Sequence, residues 1–419
     1  MLARKLRLEH VLEQIPGRRV LIRADFNVPL KDGRVADATR IVATLPTINR
    51  VLEHNPKSIV LMSHLGRPDG LVEPKSSLRP VAAELERQLG RPVTFLPDCV
   101  GDDVVKECAD PAPGTIILLE NLRFHPEEEG AGKDAQGNKV KPSKEAVEAF
   151  RDCLTSLGDI FINDAFGTAH RAHSSMTGIK LPVRAAGLLM GKELEYFSRA
   201  LENPERPLLV IMGGAKVKDK IQLITNLLNI CDEMIIGGGM AFTFKKRLEN
   251  MEIGNSIYDP EGAEIVESIM KKAQEKGVQI HLPIDFVCGD KFQEGCNVQT
   301  TAGAVPEGWI GMDIGPQSAD QMAEAIRRAK TVVWNGPPGV FENSAFRAGS
   351  TRFFNEIIEG TATRGLVSIV GGGDTAAFVQ SMGADVARIS HISTGGGASL
   401  ELMEGKELPG ALFLSDVQA

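Results

Sequence analysis

Four stretches in the first half of the chain place cationic and hydrogen-bonding side chains directly after apolar, β-branched runs. They read Arg23-Ala24-Asp25-Phe26-Asn27, Ser63-His64-Leu65-Gly66-Arg67, Glu120-Asn121-Leu122-Arg123-Phe124-His125 and Asn163-Asp164-Ala165-Phe166-Gly167-Thr168-Ala169-His170-Arg171. Arg40 opens the helical pattern that follows the first of them. A lone arginine after a strand is ordinarily a solvated surface charge. Four on successive strands are another matter, because parallel strands put their carboxyl ends on one rim. Converging guanidiniums repel, and the guanidinium is the group suited to a bidentate grip on phosphate or carboxylate. The rim is expected to bind a small, multiply charged anion. His64 and His170 fall inside it; His125 and His173 lie beside it, and His10, His54, His281 and His391 read as surface or packing residues. No histidine pair has the H-E-x-x-H spacing of a metal site.

The second half carries glycine where the first carries arginine. Its turns read Met212-Gly213-Gly214-Ala215-Lys216, Gly237-Gly238-Gly239-Met240, Asn335-Gly336-Pro337-Pro338-Gly339, Gly371-Gly372-Gly373-Asp374-Thr375 and Thr394-Gly395-Gly396-Gly397-Ala398. Glycine after a strand lets the backbone approach a ligand. A helix that follows adds free N–H groups and a favourable dipole for an anion. One such turn is explained by close strand–helix packing. Five of them, joined by Lys216 and Lys220 and by an acid, point to phosphate. Asp374 beside phosphate makes sense with Mg²⁺ between the two. Walker A and protein-kinase signatures are absent, as is a G-x-G-x-x-G followed by a ribose-binding acid, which weakens a dehydrogenase reading.

The elements that must hold these residues alternate between short apolar runs and amphipathic segments, the pattern of βαβ units and parallel sheets. Strands are expected at Val20–Ala24, Ser58–Ser63, Thr115–Glu120 and Asp159–Asn163, then at Leu208–Met212, Glu233–Ile236, Gln279–Pro283, Thr331–Trp334, Leu366–Val370 and Arg388–Ser393. Helices are expected between them, among others at Arg40–Asn49, Leu78–Leu89, Ser143–Leu157, Lys220–Ile230, Gly262–Glu275, Ser318–Ala329 and Asp374–Ser381. Glu127–Pro142 reads as an exposed excursion, and Leu188–Leu201 as a connecting helix closed by Asn203-Pro204. The fold class is α/β, with two doubly wound, Rossmann-like parallel-sheet domains joined by that helix and a hinge. The expected division is residues 1–186 with the tail 406–419, and residues 187–405.

Composition narrows the class. A chain of 419 residues exceeds one ordinary domain. Aromatic content of 5% with 43 glycines argues against a single-strand nucleic-acid binder, which stacks bases on exposed aromatics. A net charge of −8, with neither half strongly basic, argues against nucleic acid as a general partner. Six cysteines without a C-x-x-C pair read as free thiols of a reducing compartment, so a cytoplasmic location is expected, with a trimmed organellar form left open. No apolar run approaches the roughly 18 residues a spanning helix needs.

Taken together, the residues resemble phosphoglycerate kinase over nearly the whole chain. The segments that carry the resemblance are Arg23–Pro29, Ser63–Asp69, Leu119–Phe124, Asp164–Ser174, Gly213–Ile221, Trp334–Glu342, Gly371–Ala376 and Ser393–Glu404. It implies reversible transfer from 1,3-bisphosphoglycerate to ADP, giving 3-phosphoglycerate and ATP, with Mg²⁺ as cofactor, by a monomer without nucleic-acid or membrane partners. It places the phosphoglycerate on Asp25, Asn27, Arg40, His64, Arg67, Arg123, His170 and Arg171. It places nucleotide phosphates and metal on Lys220, Asn335, Gly372, Gly373, Asp374 and Thr375, with Asp374 as the metal ligand. Adenosine is expected on Gly214, Gly238, Gly311, Met312, Pro337, Gly339, Val340 and Glu342. Arg40 and Lys216 are expected to reach the transferred phosphoryl, helped by N–H groups near Gly372 and Gly395. Acceptor and donor on different domains imply closure before transfer. Lys218 and Pro338 depart from the family pattern, a small residue and a Met or Val being usual there. Another small-molecule phosphotransferase or ligase on this fold, and a nucleotide-sensing scaffold without catalysis, are the rival readings.

Overall fold

The computed structural model describes residues 1–417, leaving Gln418 and Ala419 of the expected tail outside the described residues. The chain divides into two compact units, Met1–Glu195 with Glu407–Ala419, and Tyr196–Lys406. The division falls inside the helix Leu188–Phe197, which continues as a π-turn over Ser198–Glu202.

The first unit is built on six parallel strands: β1 Arg19–Arg23, β2 Ser58–Met62, β3 Thr94–Phe95, β4 Thr115–Leu118, β5 Ile160–Asn163 and β6 Arg184–Ala186. Their spatial order is β6-β5-β1-β2-β4-β3. Alternate residues of a strand face opposite sides of its sheet, and both sides are covered here. Val20, Ile22, Ile59, Leu61, Ile116, Leu118, Ile160 and Ile162 enter one core, while Leu21, Val60, Met62, Ile117 and Phe161 enter the other. Burial on both faces is why these strands read as unbroken apolar runs. The register pairs Arg23 with Met62 on one side and with Asn163 on the other, so three strands end level. The helix Thr39–Leu52 covers one face with Ile41, Thr44, Ile48 and Val51 at helical spacing.

The second unit repeats the plan with β7 Leu208–Met212, β8 Glu233–Ile236, β9 Gln279–His281, β13 Thr331–Asn335, β14 Val367–Gly371 and β15 His391–Ile392, all parallel, in the order β9-β8-β7-β13-β14-β15. Between β9 and β13 the chain builds a separate antiparallel sheet, β10 Asp285–Gly289, β11 Val298–Ala302 and β12 Ile310–Ile314, with β10 in the middle. Trp334, Phe353, Phe354 and Phe378 fill the core beside β13 and β14.

The expected exposed excursion at Glu127–Pro142 holds for most of its length and fails at its start. It opens with the short helix Pro126–Glu129, whose Glu128 is buried, and continues as a small hairpin pairing Gly132–Lys133 with Lys139–Val140. The tail returns to the first unit. Leu6 N–H donates to Ser415 O at 2.7 Å and Ser415 N–H to Arg184 O at 2.8 Å, while the buried Lys5 ammonium donates to the carbonyls of Leu412 and Leu414. Among the described residues no helix is long and apolar enough to cross a membrane.

Candidate active site

In the first unit the residues after β1, β2 and β4 form one hydrogen-bonded rim, to which the end of β5 is tied by Asp164 N–H donating to Arg23 O at 2.8 Å. Asn27 accepts from Gly66 N–H at 2.9 Å, and Ser63 Oγ accepts from Phe26 N–H at 2.9 Å, which ties the first two strand ends. Asn121 ties in the third: its amide donates to Leu65 O and Ser76 O, and its oxygen accepts from Leu65 N–H and Arg123 N–H. Arg123 donates to Gly66 O at 2.9 Å. Arg40, half exposed at the start of its helix, reaches Asp25 at 2.7 Å. Arg67 and Arg171 are exposed, and His170 is partly buried.

Positive charge accumulates on this rim. Burial pulls the Arg123 guanidinium below its ordinary value, opposed by Glu129 and Glu128 and reinforced by Arg67. Burial, then Arg23, Arg123, His173 and Arg40, hold His64 well below the usual imidazole range. Burial, then Arg123, Arg23 and Arg171, bring His173 down to about 3. His125 is occupied elsewhere, its Nε2 lying 2.7 Å from an Asp98 carboxylate oxygen.

The second unit contains a cavity of about 490 Å³ at the ends of β7, β8, β13 and β14, with the antiparallel sheet as a further wall. Gly214, Lys216, Lys220, Gly238, Gly311, Met312, Asn335, Pro337, Gly339, Val340, Glu342, Gly372, Gly373, Asp374 and Thr375 all line it. Gly395 does not, and the helix after it, Gly397–Met403, is short. The glycines are needed because three loops meet backbone to backbone. A Cβ on Gly213 would strike the Pro337 carbonyl, one on Gly336 the Gly213 backbone, and one on Gly238 would lie 2.7 Å from Gly214 N. Gly372 sits at φ +85° and opens the helix Gly373–Gln380, with Asp374 in its first turn. Thr375 Oγ1 fixes that turn by accepting from Gly336 N–H at 2.7 Å.

Two polar groups are poised in the floor of the cavity. Lys220 donates to Asn335 Oδ1 at 2.8 Å. The Asn335 amide nitrogen is buried without a hydrogen-bond partner among the described residues, an expensive state unless something accepts from it. Burial lowers the Lys220 ammonium below its ordinary value, with Asp374 the first carboxylate to oppose it.

A family model described as phosphoglycerate kinase matches residues 10–406. The chain belongs to the phosphoglycerate kinase family. It is 71% identical over 375 residues to the phosphoglycerate kinase of Condylostoma magnum, covering 90% of this chain and 99% of that one. It is 56% identical over 419 residues to phosphoglycerate kinase 1 of Homo sapiens, covering 99% and 100%. The structure of phosphoglycerate kinase from Coxiella burnetii superposes with a TM-score of 0.86 at 37% identity, covering 98% of each chain. As a phosphoglycerate kinase the chain is a glycolytic phosphotransferase that uses ATP and ADP as co-substrates.

Several residues that line the cavity lie outside the motifs: Phe242, Ile257, Pro283, Phe286 and Phe292. Phe242 comes from the helix Met240–Glu249, Ile257 from the loop after it, Pro283 from the turn before β10, and Phe286 and Phe292 from the antiparallel insertion; glycine turns after parallel strands carry no signal for any of them. Phe292, 68% exposed, and Ile257, 42% exposed, are the two large apolar side chains among them that stand open to solvent. Of the two departures, Lys218 turns away to pair with Glu261 at 3.1 Å. Pro338 lines the cavity and contributes its carbonyl, which accepts from Gly238 N–H at 3.1 Å.

Proposed function

We propose that the rim of the first unit binds the phosphoglycerate and that the cavity of the second binds Mg-nucleotide. The observation that carries this is the meeting of cations at these strand ends: Arg23, Arg123 and Arg40 all act on His64, Arg67 acts on Arg123 and Arg171 acts on His173, beyond the lowering that burial imposes first. An anion relieves that repulsion. Asp25, Asn27, Arg40, His64, Arg67, Arg123, His170 and Arg171 are the ligands we assign to it. In the cavity, Lys220, Asn335 and the free N–H groups around Gly372, Gly373 and Thr375 receive the phosphates. Adenosine rests against Gly214, Gly238, Gly311, Met312, Pro337, Gly339, Val340 and Glu342.

The Asp374 carboxylate, exposed on the cavity wall at a helix N-terminus, has the oxygen chemistry that Mg²⁺ prefers. Bound there, Mg²⁺ would neutralise charge on the nucleotide phosphates. Arg40 and Lys216 are the side chains we assign to the transferred phosphoryl, with N–H groups near Gly372 and Gly395 assisting. Positioning and positive charge suffice for such a transfer. The acceptor carboxylate is already ionised at neutral pH, so no general base is required. Ligands held by separate units must be brought together, so we assign a closing motion to the cycle. A cytoplasmic monomer is the form we propose.

The test is a coupled assay with 3-phosphoglycerate and ATP on Arg40→Ala and Lys216→Ala. Each should lose about 10²–10⁵ in turnover with folding intact. Near-normal turnover in either variant rejects the role given to that residue.

A further inference from the structure

Arg23 stands at the end of β1, at the base of the basic rim, and none of its side chain reaches solvent. A buried guanidinium must place its N–H groups well. Its Nε–H donates to Ser175 Oγ at 2.8 Å, and one Nη donates to the carbonyl of Ala24. The other Nη lies 3.1 Å from His64 Nδ1. Ser175 passes the polarity on. Its hydroxyl donates to Glu128 Oε1 at 2.5 Å and its backbone N–H to Glu128 Oε2 at 2.9 Å. Glu128 is itself buried and lies 4.0 Å from the guanidinium, so the cation has a counter-charge although no direct hydrogen bond joins them.

The chemistry of the pair Arg23–His64 has one solution. A guanidinium has no acceptor and keeps its charge, so Nδ1 of His64 must be the acceptor. The proton of the neutral ring then sits on Nε2. An imidazolium would set two donors against each other at that contact. The other cations that act on the ring, Arg123, His173 and Arg40, oppose its protonation in the same sense. We propose that Arg23 is a positioning residue that locks His64 in its Nε2–H tautomer, so that His64 meets the phosphoglycerate as a neutral hydrogen-bond donor. Glu128 and Ser175 hold Arg23 in place for this purpose. The proposal rests on the assignment of His64 to the phosphoglycerate site.

The proposal is tested first on the unaltered chain. Long-range ¹H–¹⁵N spectra of the ¹⁵N-labelled protein report which ring nitrogen carries the proton, with His64 assigned by the signals lost in His64→Gln. The expected result is a protonated Nε2 and an unprotonated Nδ1 that persist unchanged between about pH 5 and 8, around the ordinary imidazole range. An Nδ1–H ring, or titration of His64 within that interval, overturns the proposal. The second test is Arg23→Lys, whose compact ammonium cannot serve Ser175, Ala24 and His64 with the same fork. Loss of the single tautomer and a rise of about tenfold or more in KM for 3-phosphoglycerate are expected, with KM for ATP unchanged. An unchanged tautomer and KM in a folded Arg23→Lys protein overturn the proposal. If Arg23→Lys does not fold, the spectrum of the unaltered chain still decides. Failure of the underlying site assignment has a separate signature, a His64→Gln protein that binds 3-phosphoglycerate as tightly as the parent.

Discussion

Replacing Asp313 by Asn should remove a pH dependence that the fold imposes on its own stability. Asp313 lies on β12, nearly inaccessible, with one carboxylate oxygen accepting from Ile314 N–H and the other from Gly349 N–H, both at 2.8 Å. Gly339 and Gly349 press so close that a Cβ on either would strike the carboxylate. Burial outweighs the two hydrogen bonds and pushes the acid up to about 7 from an ordinary 3.8. Between those two values the folded chain holds a proton that the unfolded chain has lost. Stability contributed by this group is therefore full below the unfolded value, falls as pH rises, and is gone above the folded value. At 1.36 kcal/mol for each tenfold the whole difference amounts to roughly 4 kcal/mol. Asn cannot titrate, and its amide also sets a donor against one of the two N–H groups, which adds a cost that does not vary with pH. The informative quantity is thus the slope. Calorimetric unfolding of both proteins from pH 4.5 to 8 should show the parent losing ground to Asp313→Asn by up to about 1.4 kcal/mol per pH unit until it levels off near 7 to 8. Other titrating groups cancel in the difference. A difference that stays flat, or one that grows in the parent's favour as pH rises, refutes the reasoning.

Asp374→Ala should weaken Mg-nucleotide binding by tenfold or more and leave phosphoglycerate binding within about twofold, measured by calorimetric titration of each ligand; equal losses would contradict separate sites. Gly311→Ala puts a Cβ into the Phe242 ring, and such overpacking costs about 1–3 kcal/mol, so KM for ATP should rise while KM for 3-phosphoglycerate does not. Lys218→Ala removes only an exposed pair with Glu261 and should leave the thermal unfolding midpoint and both KM values unchanged within error.

Much of this fold is readable before any coordinates. The central strands of both sheets are buried on each face and so appear as contiguous apolar runs, and each ends at the residues that carry the chemistry. The edge strands β3 and β6 are two and three residues long, too short for a periodic signal. The helix Ala348–Arg364 follows its first alanine with Gly-Ser-Thr, weak helix formers that pack because Phe353, Phe354 and Ile357 are buried behind them. Glu127–Pro142 is legible as an exposed excursion and fails only at Glu128. Three consecutive glutamates imply solvent, yet the middle one lies beneath the rim, and only the fold brings Ser175 and Arg23 to meet it. The rim residues were readable as a set. The carboxylate and hydroxyl that support them from below were not, because they belong to other segments of the chain.

If the cavity takes nucleotide as proposed, the meeting of the three glycine loops has a practical side for anyone wishing to alter which nucleotide is used. A methyl group introduced at Gly213, Gly238 or Gly336 would push on a neighbouring loop, so these positions move together or not at all. Substitution libraries aimed at base preference should spare that floor. Phe292 and Glu342, exposed at the same cavity, are free to vary one at a time.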